Sequence, residues 1–247
     1  MTPPAVRRLG LSPRLQLLAD WVPPGARLAD VGTDHAYLPV WLRLHGRVVS
    51  AIACDLREGP LARARETGRT YGADAVDYRL GDGLAVVSPE EADTVVIAGM
   101  GGETIAHILE SWPHAKDPGI TWLLQPMTKA ERLRDRLWAG GFSVLRERCA
   151  VANRRVYSVM EVRYTGEVRP HPEWERRLGA VDPGEDGNSL RYARRRAEEL
   201  DSIASGLEET GDPEKLARGR VLRQAAGEIR RRIEEGRNGD EHSEISG

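Results

Sequence analysis

Cysteine, lysine, long apolar runs and net charge are all scarce in this chain, and each scarcity removes a class of protein. Only Cys54 and Cys149 carry thiols. Both sit in apolar, strand-like surroundings without the spacing of a metal knuckle or a disulfide framework, so they read as buried free thiols of a reducing compartment. No metal centre is expected. No run approaches the roughly 18 apolar residues of a membrane span, and MTPPAVRRLG has no apolar signal-peptide core. The expected location is therefore cytoplasmic, with no membrane partner. The net charge is −2, so no global positive field announces a nucleic acid. Lysine is confined to Lys116, Lys129 and Lys215. The basic residues are otherwise arginine, whose guanidinium forks suit phosphate contacts.

What is present is alternation. Ser12-Pro13 has the form of a helix start, with Ser as N-cap and Pro in the first turn, ahead of LQLLADWV. Apolar runs then recur at Arg27 to Val31, Val48 to Cys54, Ala75 to Leu80, Thr94 to Ala98 and Ile120 to Leu124, with helix-compatible segments between them. Such alternation predicts a parallel sheet covered on both faces. FSVLRERCAV and RRVYSVMEVRY are joined by only Ala152-Asn153, too short for a crossover, so they should pair antiparallel. The expected fold is α/β: a class I, Rossmann-like methyltransferase sheet, mostly parallel with a C-terminal antiparallel hairpin, over residues 1–165.

From Gly166 the composition becomes that of a linker, with Pro170, Pro172 and Pro183. Leu190, Ala193, Ala197, Leu200, Ala204 and Leu207 then alternate spacings of three and four, as in a coiled-coil seam. Gly211, Asp212 and Pro213 end that helix and start another, whose seam is Leu222, Ala226, Ile229 and Ile233. An all-α hairpin over 166–235 is expected, with a first arm of roughly 30 Å at 1.5 Å per residue. Residues 236–247 are expected to form a disordered tail. A seam of this kind closes within one chain or between two, so monomer and weak dimer both stay open.

The stretch LADVGTDHAYLP begins like a dinucleotide turn but keeps only Gly32 of the G-x-G-x-x-G pattern, and Asp34 sets a carboxylate where a phosphate would lie. S-adenosylmethionine carries no phosphate, and its sulfonium and ammonium favour nearby acids. Asp30 and Asp34 suit it. Asp55 ends the second strand 23 residues after Gly32, where a carboxylate accepts from a ribose diol. Gly81, Asp82 and Gly83 follow the third strand, with Asp82 placed to accept from the adenine amine. Ala98, Gly99, Met100, Gly101 and Gly102 follow the fourth, beside the expected position of the transferred methyl.

LADVGTDHAYLP, GDGL, VIAGMGGETI and LLQP, in that order, resemble the bacterial TrmK family of tRNA (adenine-N1)-methyltransferases, which modify adenine 22 in the D-loop. The resemblance covers roughly residues 8 to 164, and the helical C-terminus also suits the family. Thr33 stands where Ser is expected, and Met127 where Asn is frequent. The resemblance implies S-adenosylmethionine as methyl donor and tRNA as partner. It places Asp34, His35, Tyr37, Gly101, Gly102, Gln125 and Pro126 around the acceptor base.

Adenine N1 attacks through an in-plane lone pair with no proton to remove, so alignment matters more than a base. Asp34, accepting from N6, would be the polar residue most important for turnover; its competing use is as N-cap of the next helix. Tyr37 would stack on the base or pack in the core. The glycines of GMGG would let a base approach the backbone, or simply permit a tight turn. Reaching N1 requires turning the base out of its stack. Arg132, Arg134, Arg136, Arg146, Arg148, Arg154 and Arg155 are candidate phosphate contacts. RYARRR would grip RNA or solubilise the seam. Two other readings share these residues: a methyltransferase of another RNA or a small molecule, and a non-catalytic RNA-binding protein.

Overall fold

The computed structural model describes residues 9–73 and 75–244, with 237–244 described by backbone alone. Residues 1–8 of the expected first domain and 245–247 of the expected tail lie outside the described residues. The chain opens with helix α1 (Pro13–Trp21), then alternates β1 (Ala26–Val31), α2 (Tyr37–Leu44), β2 (Val48–Asp55), α3 (Glu58–Tyr71) and β3 (Val76–Leu80). The second half continues with β4 (Thr94–Gly101), α4 (Gly102–Ser111), β5 (Thr121–Thr128), α5 (Ala130–Ala139), β6 (Phe142–Ala152) and β7 (Arg155–Tyr164). Ser12 does precede the first helix, but its hydroxyl makes no cap bond.

The seven strands lie in the order β3-β2-β1-β4-β5-β7-β6. Strands β1 to β5 pair in parallel, and β7 is antiparallel to both β5 and β6. The order reverses between β1 and β4, which opens a crevice at their C-terminal ends. Period-2 alternation explains why the strands read as unbroken apolar runs. Val95, Ile97, Trp122 and Leu124 face one core with Ile105 and Leu109 of α4, whereas Leu28, Val96 and Leu123 face the other with Leu18 of α1 and Val40 of α2.

Three helices complete the chain: α6 (Glu173–Leu178), α7 (Gly187–Glu208) and α8 (Pro213–Glu244). Asp186 caps α7 through the Ser189 amide at 2.7 Å, and Asp212 caps α8 through the Glu214 amide at 2.9 Å. Between them Gly211 takes the left-handed backbone at φ +69°. Ala193, Ala197, Leu200 and Ala204 meet Leu222, Ala226, Ile229 and Ile233 in one core, so the seam closes within the chain. That core also contains Cys149 and Val156 of the β6–β7 hairpin, which docks the helices onto the sheet.

Two expectations need correction. The stretch read as a linker contains α6 and is held down: His171 stacks on Trp138 at 3.5 Å, and Glu173 pairs with Arg176, Arg177 and Arg218. The stretch read as a disordered tail continues α8 through Glu244. No proline interrupts it, and its charged residues are mostly good helix formers. Both cysteines are buried free thiols. Burial pushes the Cys54 thiol up to about 12 and raises that of Cys149 further.

Candidate functional site at the strand C-termini

The site forms where the sheet order reverses. Gly32 leaves β1 at φ +76°, and its amide and that of Thr33 both donate to the Cys54 carbonyl, at 2.8 and 3.1 Å. This ties the first loop to the end of β2. A Cβ on Gly32 would lie 1.9 Å from Met100 Cε, so the missing side chain makes room for Met100 to lie across the loop. Asp30 and Asp55 are each 8% exposed at the ends of their strands. Burial pushes the Asp30 carboxyl up to about 6, opposed by the neighbouring Thr33 side chain and the field of Arg14. Asp55 Oδ1 accepts from the Arg57 amide at 2.9 Å, which leaves its second oxygen for another donor.

The third loop supplies Gly81, Asp82 and Gly83. Gly81 packs on Val86, where a Cβ would come within 2.2 Å, and Gly83 sits at φ +54° against Ile108. Asp82 is exposed, and with Gly83 it lines a cavity of about 580 Å³ walled by Leu84, Ile108, Trp112 and His114. At the end of β4, Ala98, Met100 and Gly101 are half-buried and Gly99 is exposed at φ +81°. The β4–β5 register breaks there, between Ala98 and Met100 and again before Gly101.

Asp34 is not a helix cap. Helix α2 starts at Tyr37 with Ala36 as N-cap in the left-handed region, without a side-chain cap bond. The Asp34 side chain is 63% exposed, paired with Arg63 of α3, and lies 3.6 Å from His35 Nε2. The Arg63 guanidinium holds this carboxyl below its ordinary range, so it is ionised at neutral pH. His35 and Tyr37 stack with ring centroids 5.1 Å apart and planes 3° apart, and Tyr37 is exposed, so it is not a core residue.

Three acceptor-side expectations change. Gln125 is fully buried and Pro126 is buried too, so neither presents its side chain to a base. Gln125 instead accepts from Arg14 Nη1 at 2.9 Å and donates to the Pro126 carbonyl at 3.0 Å. Gly102 is buried with the Lys129 carbonyl 2.4 Å from where its Cβ would stand, so its glycine serves helix packing; Gly101 remains at the mouth. Arg154 and Arg155 are exposed at the tip of the β6–β7 hairpin. Because β7 runs antiparallel to β5, that tip lies at the same sheet edge as the site, two strands from β4. Of the other arginines, Arg134 is completely buried, and Arg136, Arg146 and Arg148 pair with Glu110, Glu161 and Glu185.

Sequence reasoning missed Arg14, Arg63 and Leu56. The two arginines come from helices that carry no motif, and only packing brings them to the loops. Leu56 had a visible signal: it directly follows Asp55, and as an apolar side chain 64% exposed at a strand end it offers a face for a flat ring.

Buried acids at the ends of β1 and β2, an exposed acid after β3 and a glycine-rich end to β4 make a crevice for a cationic, phosphate-free nucleoside. That is the site of a class I methyltransferase. Residues 11–160 match the methyltransferase domain family, and the chain belongs to it. It is 36% identical over 156 residues to the tRNA (adenine(22)-N(1))-methyltransferase of Bacillus subtilis. The aligned stretch covers 63% of this chain and 66% of that enzyme, just under two thirds of the relative. The crystal structure of the B. subtilis m1A22 tRNA methyltransferase TrmK superposes with a TM-score of 0.73 at 28% identity, covering 94% of this chain and 99% of that one. Sp1610 of Streptococcus pneumoniae, solved with S-adenosyl-L-methionine, gives a TM-score of 0.74 at 30% identity, over 89% of this chain and 99% of that one. The TrmK resemblance read from the motifs agrees with these relatives.

Proposed function

We propose that this chain transfers a methyl group from S-adenosylmethionine to N1 of an adenine in the D-loop of tRNA, at position 22 as in its B. subtilis relative. The observation that carries the donor assignment is the placement of Asp30, Asp55 and Asp82 at three successive strand ends with no phosphate cradle among them. Asp34, ionised and exposed on the first loop, disfavours a pyrophosphate there and suits a cation. The residues present fit the donor: Asp30 and the Gly32 loop for its amino-acid end, Asp55 for the ribose diol, Asp82 and Leu56 for the adenine.

When bound, the donor supplies an electrophilic methyl on a sulfonium. The protein's own task is orientation and charge. Gly99 and Gly101 leave the end of β4 open for close approach of a base. The His35–Tyr37 stack forms an aromatic wall beside that opening, on which a turned-out adenine can lie. Asp34, oriented by Arg63, accepts from the exocyclic amine and stabilises the positive charge that N1 methylation places on the base.

Partner binding follows from the hairpin tip. Arg191 donates to the Arg154 carbonyl at 3.1 Å, and Arg191, Arg194 and Arg195 line a groove of about 470 Å³ beside Val156. Arg154, Arg155, Arg191 and Arg194 form a basic strip at the catalytic edge, suited to RNA phosphates, while Arg195 pairs with Glu199 and Glu198 lines the same groove. The seam closes within the chain, so its apolar face is covered without a second copy, which favours the monomer of the two expected states. No helix among the described residues is long and apolar enough to cross a membrane. The test is transfer of labelled methyl to an unmodified tRNA transcript, with the site read as a reverse-transcription stop. Label at adenine 22 is expected; donor binding without labelled tRNA would sink the acceptor assignment.

A further inference from the structure

Arg57, Arg63, Arg65 and Arg69 lie on or beside α3, and one of them leaves the helix for the first loop. Arg65 and Arg69 pair with Glu58 and Glu66 of the same helix, and Arg57 lies 4.0 Å from the adjacent Asp55. Arg63 instead reaches across to Asp34. Its helix is a firm base: Leu61 and Ala64, to either side of Arg63, are fully buried, and the Arg63 carbonyl accepts from the Thr67 hydroxyl at 3.1 Å. The Asp34 side chain has no comparable anchor of its own. Among the described residues Arg63 is its only hydrogen-bond partner and takes Oδ1, while Oδ2 stands 3.6 Å from His35 Nε2, beyond hydrogen-bond reach. Oδ2 is therefore the free oxygen, and it lies beside His35, whose ring stacks on Tyr37.

An ion pair whose two partners are this exposed contributes little to stability. What it fixes is direction. We propose, on the acceptor reading given above, that Arg63 is a positioning residue for base selection: it ties down Oδ1 of Asp34 and so aims Oδ2 at the 6-amino group of a purine lying on the His35–Tyr37 wall. An ionised carboxylate only accepts, and Asp34 is ionised at neutral pH. Asp34 therefore offers one fixed acceptor and no donor. A 6-aminopurine satisfies it with a charge-assisted bond. A 6-keto purine sets a carbonyl oxygen against a carboxylate, and a purine with hydrogen at position 6 leaves Oδ2 without a partner. Without Arg63 the carboxylate turns freely in solvent, so the bond to the amine and the discrimination against its rivals weaken together. Arg63 acts through Asp34 and does not itself touch the base.

Methyl transfer by the full-length protein to two ligated tRNAs, one with adenosine and one with purine ribonucleoside at position 22, tests this. Both bases keep the N1 lone pair, and only adenine has the 6-amine. The amine also makes N1 more nucleophilic, equally in every variant, so the change in the kcat/KM ratio between variants isolates the protein's part. Losing one hydrogen bond to a charged group corresponds to about a ten- to hundred-fold change. The preference for adenine over purine is expected to fall by about that factor in Arg63→Gln and Arg63→Ala, and to be partly restored in Arg63→Lys. Asp34→Asn should lower it as well. An Arg63 that only supports the fold would slow both substrates alike. An unchanged ratio in Arg63→Gln and Arg63→Ala, beside a lowered one in Asp34→Asn, would overturn the role of Arg63 alone. An unchanged ratio in Asp34→Asn would overturn recognition of the amine by Asp34 and the proposal with it. A wild type that binds the donor but leaves both tRNAs unlabelled would overturn the acceptor reading itself.

Discussion

A buried charge cluster reinforces the apolar docking of the helical unit onto the sheet, and replacing Glu147 by glutamine should loosen it. Arg134 of α5 is 0% exposed and Glu147 of β6 is 2% exposed. Arg134 Nε donates to Glu147 Oε2 at 3.3 Å, and its other nitrogens reach Glu147 Oε1, the carbonyls of Arg176, Arg177 and Leu178, and the Tyr192 hydroxyl. Glu147 also accepts from the Ala180 amide at 3.1 Å. Gly179 has no room for a side chain, since a Cβ there would stand 2.0 Å from Glu147 Oε2. At an effective dielectric of 20 the pair attracts by about 5 kcal/mol, and breaking a buried pair from one side costs about 3–5 kcal/mol. Glu147→Gln keeps the shape and an accepting oxygen but strands the guanidinium charge. For a chain of this size that corresponds to a melting point lower by about 6–20 °C. Arg134→Lys, which keeps the charge but cannot span these acceptors, should fall in the same range. Differential scanning calorimetry on the full chain measures both. A Glu147→Gln protein melting within about 2 °C of wild type would refute the reasoning.

Three further outcomes follow from the site. Asp34→Asn should lower methyl transfer to tRNA by about a hundred-fold while calorimetry shows donor affinity retained, because only the charge is removed; equal turnover would return Asp34 to a structural role. Asp30 is raised from its ordinary value of 3.8 to about 6, so folding favours its protonated form. Its stabilising contribution is full below pH 4 or so and is lost as pH rises through about 6. Donor binding runs the other way: an ammonium requires the carboxylate, so donor affinity should rise across the same window in wild type and stay flat in Asp30→Asn. Finally, replacing Arg154 and Arg155 together by glutamine should weaken tRNA binding and reduce the salt slope by about 0.7–0.9 per lost phosphate contact. Filter binding between low and moderate salt reads this directly, and an unchanged slope would remove the hairpin tip from the RNA path.

The alternation of apolar runs foretold the sheet closely, because a strand buried on both faces is apolar along its whole length and needs no tertiary information to be seen. Asp30, Gly32, Asp55, Asp82 and Gly99 were legible for a similar reason: each lies at or just after a strand, where the topology alone sends it to the crevice. Asp34 was legible as a residue but not as a role. Its capping use vanished once Ala36 was found to begin α2, and no local pattern announces a left-handed alanine.

The helical hairpin shows the same division. Its seam could be read from spacing, but whether it closed within the chain depended on Gly211 turning α8 back onto α7. Helix α6 escaped notice because a six-residue helix between prolines has no periodicity to display. Gln125 and Arg134 look like ordinary polar residues of a strand and a helix, yet both are fully buried.

By itself, then, the sequence determined the class of sheet, the crevice acids and the two-helix appendage, since these depend on strand period, turn residues and position relative to strand ends. The tertiary structure alone decided that Arg14 and Arg63 reach the crevice, that Gln125 faces inward and that Arg134 joins sheet to helices. Those placements arise from contacts between residues as many as 111 positions apart, and no local spacing encodes a contact of that range.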